Sequence, residues 1–137
     1  MFTLELNAER RKVLSTGLID LSVSFLFWIF SAIYIACGHG KTSGGMVCLL
    51  VPFFLSGMTF FIVSLTDAYR IITLPVRCLW NFSMASFTVG MALVGVFEIA
   101  GVPISSLLIP IWIGGVLCAA CSIAVLIFNK KKIAEEL

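Results

Sequence analysis

The chain has 137 residues, of which 61% are hydrophobic and only 12% charged, with a formal net charge of +2. Soluble domains carry about 25% charged residues and about 45–50% apolar ones. This chain has too little charge to coat a water-facing surface, so a soluble globular protein and a disordered chain are both excluded and an all-α integral membrane protein is expected.

Residues 1–12 predict a short interfacial segment, with Phe2, Leu4 and Leu6 ahead of Glu9-Arg10-Arg11-Lys12. A membrane span needs roughly 20 apolar residues to cross a hydrocarbon core about 30 Å thick. Within a domain covering 13–128, four stretches meet that length, at about 13–37, 45–66, 77–100 and 104–128. Residues 129–137 form a basic tail. Stretches such as Leu49-Leu50-Val51-Pro52-Phe53 have none of the strict alternation of a barrel strand.

The first span, Val13–Cys37, is longer than the 7–15 residues of a signal-peptide core and reads as a permanent helix. At about 100° per residue, Thr16, Asp20, Ser24, Ser31 and Tyr34 fall in one sector of it, with Phe27 on the same face. A polar stripe belongs against other helices, since a hydroxyl facing lipid has no partner. Asp20 is the candidate intramembrane acid, because a carboxylate at mid-span costs about 2.5–3.5 kcal/mol on insertion scales. Two readings of the stripe follow. The favoured one is hydrogen bonding between helices, with Asp20 held by Arg77 or a nearby hydroxyl. The other is a track for protons or cations.

The Gly38–Gly44 turn contains His39, Lys41 and a Gly40-Lys41-Thr42 sequence. A phosphate-binding loop would need a glycine where Ile35 stands, with a strand before it, so that motif is rejected. Cys37 and Cys48 flank the turn and are a candidate disulfide pair in an oxidising exterior. His39 is the one histidine, and no zinc site is expected. The second span carries Pro52, expected to kink it by removing a donor to the carbonyl of Cys48.

The third span holds Ser83, Ser86 and Gly90 at helical spacing, and near its outer end Glu98. Glu98 is expected to pair with Lys41 or His39, or to accept from Tyr34. After the Gly101-Val102-Pro103 turn, the fourth span carries Gly114, Cys118, Cys121 and Ser122 on one side and Gly115 with Ala119 beside them. Small residues at this spacing let helix backbones approach closely, so these faces are the expected packing surfaces, within the molecule or toward a partner. Cys118 and Cys121 have redox-like spacing, but mid-membrane placement without a neighbouring charge makes them packing residues. Pro110 either kinks the fourth span or opens it at its first turn.

Shifting the chain by 58 residues lays Leu49–Gly57 over Leu107–Gly115, with Pro52 on Pro110, which suggests two similar helical hairpins. Eight of the nine basic residues fall on one side of this plan, with Lys41 the exception. The positive-inside bias then places both termini and the Asp67–Val76 loop in the cytoplasm, of a cell or bacterial inner membrane. Anionic headgroups account for these basic residues without nucleic acid.

The loops are too short for an enzyme domain, and no nucleophile, base and orienting residue come together. The expected function is that of an accessory, assembly or immunity-type subunit acting through helix–helix contacts with another membrane protein or a second copy of itself. It needs no catalysis, metal or cofactor. The alternative is a small oligomeric transporter or channel using the Asp20 stripe.

Overall fold

The computed structural model describes residues 2–37, 43–103 and 106–136, with side chains at 8–37, 43–103, 106 and 108–135. The described residues form helices α1 (Phe2–Cys37), α2 (Gly44–Val47), α3 (Val51–Leu65), α4 (Leu74–Ala100) and α5 (Ile109–Glu136), and no strand. Four segments are long and apolar enough to cross a membrane: Ala8–Cys37, Gly44–Leu65, Leu74–Ala100 and Ile109–Glu135. The molecule is an all-α four-helix bundle.

The segment boundaries differ from the sequence expectation where capping and proline chemistry set them. The expected lead-in is continuous with the first span in α1, whose 36 residues reach about 54 Å. That exceeds a hydrocarbon core of about 30 Å, so the basic first turns project beyond it. α4 starts at Leu74 rather than Arg77, because Pro75 sits in its first turn, where its missing N–H has no intrahelical role. α5 starts at Ile109 with Pro110 in the same place, which makes that proline a helix opener and not a kink.

In the second span a 3₁₀ turn, Cys48–Leu50, separates α2 from α3 just ahead of Pro52. The tighter turn takes up the hydrogen bond that proline denies. The 3₁₀ turn Ser106–Leu108 precedes Ile109 and Pro110 in the same way, at the offset of the two similar sequence runs.

α4 ends by a Schellman motif. Gly101 takes φ +69°, its N–H donates to Glu98 O at 3.3 Å, and Val102 N–H donates to Phe97 O at 3.0 Å. A side chain is strained in that left-handed region, and Pro103 prevents the helix from resuming.

α1 packs along α3 and α4 along α5, and the two hairpins meet where α2 and α3 touch α4. Glycines mark the closest crossings. A Cβ at Gly57 would lie 2.7 Å from Leu21 Cγ, and one at Gly17 would lie 3.1 Å from the Gly57 carbonyl oxygen. A Cβ at Gly45 would fall 2.6 Å from Met91 O, so α2 sits directly on α4.

Between α4 and α5, Ser83 Oγ donates to Gly115 O and Ser86 Oγ to Ile111 O, both at 2.7 Å. Ser122 Oγ donates to Val76 O at 3.1 Å. The apolar core gathers at the basic end, where Val13, Phe60, Tyr69, Ile72 and Val76 pack together. Asn129 Nδ2 ties α5 to the α3–α4 connector through Ile71 O and Thr73 Oγ1.

Candidate functional site

The polar face of α1 turns inward, as its hydroxyls require, and meets α3 and the 3₁₀ turn before it. Asp20 is 2% exposed, and Ser56 Oγ donates to its Oδ2 at 2.6 Å. Asn81 Nδ2 donates a longer bond, 3.4 Å, to Oδ1. Of the two partners expected for Asp20, a hydroxyl is present. Arg77 instead reaches Thr16 Oγ1 at 3.4 Å, one helical turn nearer the basic end.

The hydroxyls of Thr16, Ser24 and Ser31 bond separately to backbone. Thr16 Oγ1 donates to Lys12 O within α1. Ser24 Oγ donates to Leu50 O at 3.1 Å, and Ser31 Oγ to Met46 O at 2.7 Å. Both acceptors lie in the α2–3₁₀ region, where the regular helical ladder is interrupted. Phe27 stacks on Phe53 with ring centroids 5.8 Å apart. Tyr34 is half-buried against Phe30. Among the described residues, no side-chain hydrogen bond joins Asp20 to Ser24 or Ser24 to Ser31, so the stripe is a row of separate clasps.

Glu98 is exposed and lies over the start of the second span. Ser43 Oγ donates to its Oε2 at 2.5 Å, and Gly45 N–H approaches the same oxygen at 3.5 Å. Ser43 also caps α2 by accepting from Met46 N–H at 3.3 Å. Glu98 thus supplies a carboxylate to a helix N-terminus on a neighbouring element, where unpaired N–H groups favour negative charge. Its expected partners His39 and Lys41 lie outside the described residues. Tyr34 is not bonded to it among the described residues.

At the other end of the second span, Arg10 Nε donates to Ser64 O at 2.7 Å, placing a cation on the last carbonyls of α3. Ser43, Ser56 and Arg10 lie off the polar and small-residue stripes that the helical period collects. Ser43 preceding Gly44-Gly45 carried an N-cap signal. Nothing local marked Ser56 or Arg10.

The packing candidates divide by their surroundings. Ser83, Gly90 and Gly115 are buried between α4 and α5, with the Trp112 ring on Gly90 and the Phe87 ring on Gly115. Ser86 is half-buried there. Gly114 has nothing within 4 Å of where its Cβ would be. Cys118 and Ala119 are half-buried and Cys121 is exposed. Cys37 and Cys48, the candidate disulfide pair, are exposed free thiols, as is Cys121. Among the described residues no three His, Cys, Asp or Glu side chains come together as metal ligands.

Comparison with known proteins returned no match to a family model, a curated protein or a solved structure.

Proposed function

We propose that this small multi-pass membrane protein is a non-catalytic accessory, assembly or immunity-type subunit that works by docking its helices against another membrane protein or a second copy of itself. One observation supports this reading. The last span carries two stripes of small residues, and the molecule uses one of them. Gly115 faces α4, and so does Ser122, which the helical period had grouped with Gly114, whereas Gly114 and Cys118 are left beside a shallow groove that Phe82, Ala85 and Val89 of α4 complete. A small-residue groove open to lipid admits a further helix at close range. Both termini are placed in the cytoplasm by the distribution of basic residues, with the cell membrane as the site of action.

The test is purification in mild detergent at native expression. A stoichiometric membrane partner or a defined oligomer is expected, and Gly114→Leu with Cys118→Leu should abolish it while the chain still folds. Recovery of a lone monomer in several gentle detergents overturns the reading.

The burial of Asp20 beside Thr16, Arg77 and Asn81 favours one competing function, transport through an oligomer. In proteoliposomes, Asp20→Asn should then abolish flux with the folded yield unchanged. Normal flux in that variant eliminates the role.

A further inference from the structure

Two adjoining cavities open along the seam between α1 and α4, and Thr16 and Arg77 line both of them. The one at the basic end, about 500 Å³, is walled by Arg11, Lys12 and Ser15. The other, about 430 Å³, continues past Asn81 along Leu74, Phe82 and Ala85 to Phe53. Polarity falls steadily along the seam. Cations stand at the mouth, a hydroxyl and an amide follow, and aromatic rings and methyl groups complete it. From Arg77 at the mouth to Ala85 the α4 wall runs about 12 Å, the length of part of an acyl chain.

The charges at the mouth are only partly answered within the molecule. Lys12 pairs with Glu9 at 2.6 Å, but with side chains 58% and 50% exposed that pair holds weakly. Arg11 and Arg77 have no carboxylate within 4 Å among the described residues. Asp20, the nearest buried acid, is bonded to Ser56 and Asn81 and does not line either cavity. Arg77 Nε and Asn81 Oδ1 are buried without a hydrogen-bond partner among the described residues, and both residues line the second cavity. An occupant that brings acceptor oxygens to the mouth meets the Arg77 guanidinium at its terminal nitrogens, of which Nη1 is held only by a long 3.4 Å bond to Thr16 Oγ1.

We propose that this seam binds one acidic phospholipid, its phosphate against Arg77, Arg11 and Lys12 and one acyl chain along Leu74, Cys78, Phe82 and Ala85. Free phosphate answers only the mouth and leaves the apolar stretch empty. A zwitterionic lipid brings its own cation to a site that already has an excess of them.

The intact protein, delipidated in mild detergent, is titrated with dioleoylphosphatidylglycerol, dioleoylphosphatidylcholine or inorganic phosphate, and read by native mass spectrometry and by thermal unfolding. The phosphatidylglycerol is expected to give a discrete one-to-one adduct and to raise Tm, and the other two are expected to do neither. Arg77→Gln should weaken the adduct roughly fivefold or more, as loss of one cation facing an anionic headgroup predicts. Ala85→Phe, which fills the apolar stretch, should weaken it as well. A Lys130→Gln, Lys131→Gln variant, altered at the same end but off the seam, should bind as the parent does.

Equal binding of phosphatidylcholine, equal stabilisation by phosphate, or unchanged binding in either seam variant overturns the proposal. Equal weakening by the tail variant does so too, by reducing the effect to surface charge. Should Arg77→Gln fail to fold, the exposed pair Arg11→Gln, Lys12→Gln takes its place with the same expected weakening, and unchanged binding there is equally fatal.

Discussion

At the scale of single residues, Asp20 stays in an apolar interior because Ser56 brings it a hydroxyl proton at 2.6 Å. Ser56→Ala leaves that oxygen without its short donor, and a buried acceptor stripped of its partner costs about 1–3 kcal/mol. Denaturation in mixed micelles should show a loss in that range, and Ser56→Thr, which keeps the hydroxyl, should recover part of it. That Asp20 needed a partner was legible from its place on the stripe. Which residue supplied it was not, because Ser56 is 36 positions away and reaches Asp20 only once α1 and α3 have taken their register.

The same contrast runs through the glycines. Gly57→Ala places a methyl 2.7 Å from Leu21 Cγ and 2.9 Å from its backbone nitrogen. It should destabilise by about 1–3 kcal/mol through overpacking, despite the helix propensity gained. Gly114→Ala meets nothing within 4 Å. It should be neutral or stabilising by up to about 1 kcal/mol, the gain of alanine over glycine in a helix. Thermal unfolding of the two variants side by side checks both.

At the scale of elements, the second span shows how an interrupted helix is held. Pro52 breaks the ladder, a 3₁₀ turn bridges the break, and Ser24 and Ser31 of α1 cover the carbonyls of Leu50 and Met46. Its two ends are met by charges from other elements, Glu98 over the N-terminal turn and Arg10 on Ser64 O. Glu98→Gln should lower stability and Arg10→Gln should cost about 0.3–1 kcal/mol, the range for charges at helix ends, and hydrogen exchange should rise first at the affected end.

The turn after α4 depends on a backbone choice. Gly101→Ala forces a side chain into φ +69° and should cost about 1–2 kcal/mol, measured as a fall in Tm. The Gly101-Val102-Pro103 stop was readable as a stop from its residues alone. The start of α5 at Ile109 was not, since Leu107 and Leu108 are as apolar as the helix that follows and only the 3₁₀ backbone of Ser106–Leu108 sets them apart from it.

At the scale of the whole molecule, the two hairpins share a plan and differ in how they close. Both second helices begin at a 3₁₀ turn followed by proline, and both bring a glycine, Gly57 or Gly115, to the partner helix. The first hairpin closes backbone to backbone through Gly17 and Gly57, whereas the second closes through aromatic rings and serine hydroxyls. Eight of the nine basic residues belong to one side of the four-span plan, so the proposed orientation has both termini on the cytoplasmic face. Asn129→Cys should react with a membrane-impermeant thiol reagent only after the membrane is opened, as should a cysteine placed at Arg11. Labelling of either in intact cells reverses the orientation.

Composition, apolar run length and the segregation of lysine and arginine determined a four-span helical membrane protein and proposed its orientation, because a lipid solvent demands those properties of any chain that crosses it. The helical period was enough to collect Asp20, Ser24 and Ser31 on one face and Gly114, Gly115, Cys118 and Ser122 near another. Adjacent positions on a helix differ by only about 100°, so the period cannot say which of two neighbouring stripes a partner helix will take. Packing decided that. The crossings at Gly17 with Gly57 and at Ser83 with Gly115 set the rotation of each helix, and that rotation turned Gly115 and Ser122 inward, left Gly114 open, and opened the seam in which Arg77 meets Thr16.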